Sequence, residues 1–128
     1  MTEHFSAAEF ACRDGTPYPA EWLESRLLPL CETLEAIREA VGAPLTILSG
    51  YRSPAHNAAV RGAPKSQHVE GRAADIKCPV VPAPELHRVI CELHAAGKLP
   101  ALGGLGAYPG WVHVDVRPRK ADGSIARW

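Results

Sequence analysis

The 128-residue chain has no excess of either charge, because Lys plus Arg and Asp plus Glu both number 14. A protein that binds a nucleic acid or an anionic surface usually carries a clear basic excess. The composition therefore indicates neither class of partner, and we expect no nucleic acid to bind.

Long apolar stretches are also missing. No run approaches the roughly 20 residues that cross a bilayer, and the first residues, MTEHFSAAEF, lack the basic-then-apolar order of a secretory signal. We expect no stable membrane insertion, and synthesis in the cytoplasm without a signal peptide. A chain of this length has room for one core, so we expect a single domain over residues 1–128 and a monomer.

The chain has no CxxC pair. Its four cysteines are widely spaced, and we expect small buried thiols rather than a zinc site; they are Cys12, Cys31, Cys78 and Cys91. The glycine-rich segment 102–108 is not followed by Lys-Ser/Thr and is no phosphate loop. We interpret it as a strand and turn whose missing side chains let a substrate backbone approach closely.

Residue types that bind metals are concentrated in residues 49–75 and 111–115. Six residues separate His68 from Asp75, and His113 follows far along the chain. Two imidazoles and one carboxylate form a three-ligand set that suits zinc, with one coordination position left for water. That composition is typical of a catalytic zinc site rather than of a closed structural one.

The spacing of these ligands predicts their local structure. His68 and Asp75 cannot share one strand, where their separation would span roughly 23 Å, so we expect a loop that carries His68 and turns at Gly71 into a strand over 72–77. Residues 111–116 alternate between apolar and polar side chains, as a half-buried strand does. If the two strands are neighbours, Asp75 and His113 converge on one metal.

The remaining pattern predicts helices and one further strand. Apolar residues recur in steps of three and four over an amphipathic helix, 20–41, in which Pro29 marks a kink or a restart. A second helix is expected at 84–96, and a buried strand at 44–48. His56 has no partner at ligand spacing, and we interpret it as a surface residue or one that supports a ligand. The predicted fold is α+β, an antiparallel sheet of three or four strands with helices packed on one face and the zinc site on the other.

Three motifs in the same order carry a resemblance. They read SGYR at 49–52, SQHVEGRAAD at 66–75 and HVD at 113–115. From about Phe5 onward the chain resembles the zinc D-alanyl-D-alanine carboxypeptidase and murein endopeptidase family, whose metal arrangement Hedgehog signalling domains share. The resemblance implies zinc bound by His68, Asp75 and His113, and hydrolysis of peptidoglycan stem peptides next to D-amino acids.

The resemblance also implies a mechanism, in which zinc activates a water and polarises the scissile carbonyl. Arg52 would hold a substrate carboxylate or support the oxyanion. Substrate contacts are expected from Ser66, Tyr51 and Trp111.

The sequence alone leaves the identity of the general base open. Several relatives have a glutamate three residues before the last histidine, or a histidine two before it, where this chain has Gly110 and Trp111. Asp115 shares a strand face with His113, and is either the base or a carboxylate that orients a ligand imidazole. Glu70 is a weaker candidate.

Several functions stay open at this point. A D,D-endopeptidase and a D,D-carboxypeptidase would need the same core. A second possibility is a zinc-containing module that has lost catalysis and whose cleft binds peptide or wall polymer. A third is a D-Ala-D-Ala dipeptidase, which would need a closed pocket. We expect action at the bacterial cell wall, as in a phage or prophage lysis enzyme.

Overall fold

The computed structural model describes residues 1–128. Five strands of the chain form one mixed sheet. The spatial order of the strands is β1-β2-β4-β3-β5. The first four in this order pair antiparallel, and β5 pairs parallel to β3. The strands are β1 (Thr46–Ser49), β2 (Ala73–Lys77), β3 (Gly104–Ala107), β4 (Val112–Asp115) and β5 (Ala126–Arg127).

Three α-helices accompany the sheet. They are α1 (Leu28–Val41), α2 (Pro54–Ala59) and α3 (Ala83–Ala95). Short 3-10 helices cover Ala7–Phe10 and Ala20–Trp22, and a π-helical turn covers Leu23–Leu27. None of the helices combines the length and the apolar character that crossing a bilayer requires.

The long helix predicted over 20–41 is divided into three pieces. Pro29 lies in the first turn of α1, where the amide hydrogen that proline lacks would have no partner within the helix. The restart predicted at this residue is confirmed. At the other end Gly42 adopts a left-handed φ of 68° and donates its amide to Arg38, which ends the helix.

Helices α1 and α3 pack on one face of the sheet, where the core lies. The buried side chains of α1 and α3 join those of the inner strands in a single apolar cluster, whose larger members each contribute about 1.5–3 kcal/mol on full burial. The helices supply Leu30, Leu34, Ile37, Leu86 and Ile90, and the strands supply Ala74, Ile76, Leu105, Val112 and Val114. The predicted α+β class, with helices on one face, is confirmed.

The sheet has one strand more than predicted. Residues 126–127 lie beside β3 in parallel, with the amide of Ala126 donating to Gly103 and that of Trp128 donating to Leu105. The prediction of a wholly antiparallel sheet of three or four strands was wrong in this respect. Two residues are too few to show the alternation from which a strand is recognised.

The turn predicted at Gly71 is present immediately before β2. Gly71 has a φ of 70°, and its carbonyl accepts a hydrogen bond of 2.7 Å from the Tyr18 hydroxyl. A Cβ at this position would lie 2.7 Å from Cε3 of Trp22. The position therefore requires glycine both for its backbone conformation and for the close approach of two aromatic side chains.

We predict that Gly71→Ala lowers the free energy of unfolding by about 2–3 kcal/mol, because left-handed strain and a clash with Trp22 add together. Gly97→Ala is the matched control: its φ of 74° is similar, but a Cβ there meets nothing within 4 Å. That variant should lose only about 1 kcal/mol. Urea unfolding measures both, and equal losses would contradict the packing argument.

Candidate metal centre

The central strand pair places two of the predicted ligands side by side. In the antiparallel ladder of β2 and β4, Asp75 lies directly opposite His113, and Ala74 lies opposite Val114. Because side chains alternate along a strand, Ala74 and Val114 enter the core while Asp75 and His113 share the other face. The predicted candidate metal site therefore lies on the face of the sheet away from α1 and α3.

His68 reaches the same place from the loop before β2. Its carbonyl accepts the amide of Arg52, and its own amide donates to Oγ of Ser66. Its Nδ1 lies 2.7 Å from the carbonyl oxygen of Gly50. These bonds tie the His68 loop to the segment after β1, so the imidazole is held before any ligand binds.

Gly50 is required for this arrangement. A Cβ on Gly50 would lie 2.7 Å from Cα of Phe10, because the N-terminal segment crosses it closely. The amide of Tyr51 donates to the carbonyl of Phe10 at this crossing. The glycine of the SGYR motif thus lets the backbone pass and present its carbonyl to His68.

The three predicted ligands converge. Oδ1 of Asp75 lies 3.2 Å from Nε2 of His68 and 3.1 Å from Nδ1 of His113. The three donor atoms all lie within 4.8 Å of one another, and both imidazoles are buried. Nitrogen and oxygen donors at this spacing can close around one small cation.

The hydrogen bonds around this centre leave a deficit of positive charge. Because the carbonyl of Gly50 only accepts, Nδ1 of His68 must carry the ring proton of a neutral imidazole. Nε2 of His113 likewise donates to Oδ2 of Asp115 at 2.8 Å. The neutral rings then present bare nitrogens to the Asp75 carboxylate. Three such acceptors need a positive charge between them. A ring proton can supply it, since hydrogen bonds to Asp115 and Asp75 raise the pKa of His113 in spite of its burial, and the donor set fits a metal ion that takes the place of this proton.

The carboxyl groups of the centre are ionised. Burial alone would raise the pKa of Asp75, but its contacts with the His113 and His68 rings outweigh burial and hold the pKa well below its usual range. For Asp115, burial is outweighed by hydrogen bonds from His113 and Arg117, which lower its pKa to about 2. Both groups therefore carry negative charge at neutral pH.

The surroundings of Asp115 decide between its two predicted roles. The residue has no solvent exposure, and its oxygens accept from Nε2 of His113 and from Nε and Nη2 of Arg117, the latter two at 2.9 and 2.6 Å. A general base needs access to the reacting water. The geometry favours the orienting role, in which Asp115 fixes the tautomer of His113.

A partly open cleft with a volume of about 450 Å³ lies above the centre. Three of the residues predicted to contact substrate or stabilise charge line it, namely Arg52, Ser66 and Trp111. The complete lining also includes Gly62, Ala63, Lys65, Gln67, His68, Asp75, Tyr108, His113, Arg117 and Trp128. The cleft thus gathers residues from loops, strands and the C-terminal segment.

Arg52 points into the cleft as predicted. Its Nη2 lies 3.5 Å from Oδ2 of Asp75, its Nε donates to Oγ of Ser49, and its Nη1 donates to Oδ1 of Asn57. Only 17% of the side chain is exposed. The guanidinium is therefore a fixed positive charge beside the candidate metal ligands.

Two predicted residues lie elsewhere. Tyr51 does not line the cleft, because its ring packs edge-on against Tyr18 and Trp22 beside the core. Glu70 is also outside the cleft and pairs with Arg26 and Arg72. These positions do not support substrate binding by Tyr51 or proton transfer by Glu70.

The strand predicted within the glycine-rich segment is present as β3, but its glycines serve a different purpose from the one expected. A Cβ on Gly104 would lie 2.2 Å from Oδ2 of Asp115, and one on Gly106 would lie 2.6 Å from Nε1 of Trp128. Both glycines of β3 are opposite the site residues of β4. Their missing side chains make room for Asp115 and Trp128 rather than for a substrate backbone.

Sequence reasoning missed the part that the C-terminal residues play. Arg117 clamps Asp115, and the Trp128 ring lies 4.9 Å from that of His113. Trp128 also donates to the hydroxyl of Tyr108, which stacks on Trp111 at 4.7 Å. Arg117 was detectable, since it continues the alternation of His113 and Asp115, whereas the place of Trp128 depends on the pairing of β5.

The comparisons with known proteins agree with this geometry. The model of the family described as Peptidase M15 matches residues 3–115. No curated protein matches the chain. The matched span takes in His68, Asp75 and His113 and ends at Asp115. The chain therefore belongs to the peptidase M15 family, whose members are metal-dependent peptidases.

Proposed function

We propose that the chain is a zinc peptidase that hydrolyses peptidoglycan stem peptides at amide bonds next to D-amino acids, and that it acts at the bacterial cell wall. The observation that carries the proposal is the set of three facing acceptor atoms around Asp75 at the floor of the cleft. Such a set supports a metal ion at a place that a substrate can reach.

The donor set favours zinc. Two imidazole nitrogens and one carboxylate oxygen match the composition of catalytic zinc sites, which keep one position open. When bound, zinc supplies a Lewis acid and lowers the pKa of bound water toward neutrality.

The residues of the chain orient this chemistry. The Gly50 carbonyl sets the ring of His68, and Asp115 sets the ring of His113. Arg117 in turn holds Asp115, because its Nε and Nη2 both donate to the carboxylate. Arg52, fixed beside Asp75, is placed to stabilise negative charge that develops on a scissile carbonyl oxygen.

The charge and shape of the cleft support a peptide substrate with free carboxylates. Three cationic side chains line it, Arg52, Lys65 and Arg117, against one acidic side chain, Asp75. A cleft lined mainly by one sign of charge concentrates ligands of the other sign. Peptidoglycan stem peptides carry carboxylates and suit such a cleft.

One further feature fits a peptide. Tyr108 and Trp111 line the cleft and stack with an interplanar angle of 6°, which forms a flat aromatic wall. We assign this aromatic pair to a substrate side chain.

A partly open cleft also bears on the alternatives. A dipeptidase specific for D-Ala-D-Ala needs an enclosed pocket, which this cleft does not resemble. An endopeptidase and a carboxypeptidase both remain compatible with it.

A second candidate function rests on the missing base. Apart from the metal ligands, the titratable side chains that line the cleft are Arg52, Lys65, Tyr108 and Arg117, and none is a carboxylate or a histidine. General bases of metallopeptidases are most often such groups. This observation favours a zinc-containing module that binds peptide or wall polymer without cleaving it.

We predict that the zinc-loaded protein releases new termini from cross-linked muropeptides and that His68→Ala abolishes this release, because two ligands do not retain the metal. His94→Ala, on α3 outside the cleft, should leave turnover unchanged. Mass spectrometry of the fragments identifies the bond. Tight binding by the parent protein without any product would support the binding module instead.

We predict that Asp115→Asn weakens zinc affinity by about 10–100-fold, because the neutral amide is a poorer acceptor for the His113 ring proton. Zinc affinity is measured by competition with a chromogenic chelator, and kcat is measured at saturating zinc. A loss of about 10²–10⁴-fold in kcat with unchanged zinc affinity would identify Asp115 as the general base.

We predict that Arg52→Lys lowers kcat/KM about 100-fold, because a lysine cannot keep the contacts that fix the charge beside Asp75. Peptides with a free and with an amidated C-terminus should be affected equally, with Arg38→Lys on α1 as the control. A loss confined to the free-carboxylate peptide would contradict the oxyanion role and indicate a carboxypeptidase.

A further inference from the structure

A second group of metal-binding side chains lies outside the cleft. The Sγ of Cys12, a carboxylate oxygen of Asp14 and an imidazole nitrogen of His56 all lie within 4.8 Å of one another. None of these residues lines the cleft of the first centre. The cluster joins the N-terminal segment to the first turn of α2, which follows the SGYR motif.

Hydrogen bonds hold this cluster in place. Oγ of Ser53 donates to Oδ2 of Asp14 at 2.7 Å, and the amide of Ser53 donates to Sγ of Cys12 at 3.3 Å. The amide of His56 donates to Oγ of Ser53, so one serine touches all three candidate ligands. Their positions are therefore set by shared bonds and not by chance proximity on a surface.

The loop that carries two of the ligands is also rigid. The amide of Cys12 donates to the carbonyl of Thr16, and that of Gly15 donates to the carbonyl of Cys12. The guanidinium of Arg13 donates to the carbonyls of Ile47 and Leu48 at the adjacent strand. A loop closed in this way presents Cys12 and Asp14 toward α2 with little conformational entropy left to lose.

Each candidate ligand is available to a metal. No hydrogen bond engages either ring nitrogen of His56. Cys12 is a free cysteine whose Sγ is tied to no disulfide. The Ser53 hydroxyl and the Thr16 amide hold the pKa of Asp14 well below its usual range, so its carboxylate is ionised.

We propose that Cys12, Asp14 and His56 form a second site for a borderline-soft divalent cation of the zinc type. A thiolate with an imidazole selects such ions over magnesium and calcium, which prefer oxygen ligands alone. Ligand atoms of tetrahedral zinc lie about 3.3–3.8 Å apart, so the three side chains need to close by at most about 1.5 Å. The fourth position is left to solvent or to the second oxygen of Asp14.

The site would act as a clip. It connects the N-terminal loop to the start of α2, and Ser53 follows Arg52, whose side chain enters the cleft. A cation here stabilises the folded state, because the ligands are not assembled in the unfolded chain. It would thereby hold the SGYR segment without touching substrate.

The sequence pattern did not indicate this site, for two reasons. Cys12 and Asp14 form a C-x-D pair with no second cysteine, and His56 lies 42 residues beyond Asp14 without any repeating spacing. His56 was interpreted as a surface or supporting residue on that ground. Only the crossing of the N-terminal segment over the end of β1 brings the three together.

The test uses cobalt, because a thiolate ligand gives a near-ultraviolet sulfur-to-cobalt charge-transfer band that a site of two histidines and one aspartate cannot give. The full chain is stripped of metal and titrated with Co²⁺. We expect the band in the parent protein and in His68→Ala, and we expect it to be lost in Cys12→Ser and in His56→Ala. Native mass spectrometry should count two zinc ions in the parent protein and one in each of the three variants.

Cys91→Ser is the matched control, because the Sγ of Cys91 lies 3.7 Å from Nδ1 of His87 on α3 and is the other thiol that contacts an imidazole. This variant should keep the band. If the parent protein shows no band, or if the band disappears in Cys91→Ser and survives in Cys12→Ser, the second site is refuted. His56→Ala removes only a partly exposed side chain, so it tests the site even if Cys12→Ser does not fold.

The two centres are tested separately. A parent protein that shows the cobalt band but does not cleave muropeptides would retain the second site and lose the proposed peptidase activity. Cleavage of muropeptides without the cobalt band would support the proposed peptidase activity and refute the second site.

Discussion

The structure around the candidate metal centre depends on the antiparallel pairing of β2 with β4. This register sets Asp75 directly opposite His113 and sends their neighbours Ala74 and Val114 into the core. A slip of one residue would exchange the two faces, so the energy of core burial also fixes the ligands. The centre is thereby supported by the hydrophobic core and not by loops alone.

The supporting contacts reach the centre from both sides of this strand pair. On one side, the segment after β1 presents the Gly50 carbonyl to His68 and the guanidinium of Arg52 to Asp75. On the other, Asp115 and Arg117 fix His113. Both imidazoles are thus oriented through the ring nitrogen that faces away from Asp75, and the other ring nitrogen of each is left facing the Asp75 carboxylate.

The same design explains the glycines. Gly50, Gly71 and Gly104 lie where backbone, aromatic side chains or a carboxylate come closer than a Cβ would allow. Each close approach holds a ligand-bearing segment against its support. The stability of these turns and the geometry of the centre are therefore coupled, which places part of the functional constraint at residues that never meet a substrate.

The sequence by itself determined the candidate ligand residues, the strand faces and the two principal helices, because these follow from local periodicity and from motifs of fixed spacing. It predicted that Asp75 and His113 converge if their strands are neighbours, and the structure pairs these strands. Only the tertiary structure shows that Asp115 is buried and that Arg117 and His113 occupy its oxygens, which favours the orienting role.

Contacts between distant segments decided the rest. The parallel strand β5 brings Trp128 to His113, Tyr51 turns to the core, and Cys12 meets His56 where the N-terminal segment crosses the end of β1. A sequence pattern reports which face of its own helix or strand a residue occupies. Which distant segment packs against that face depends on the whole set of burial and hydrogen-bond energies, and these become definite only in the folded chain.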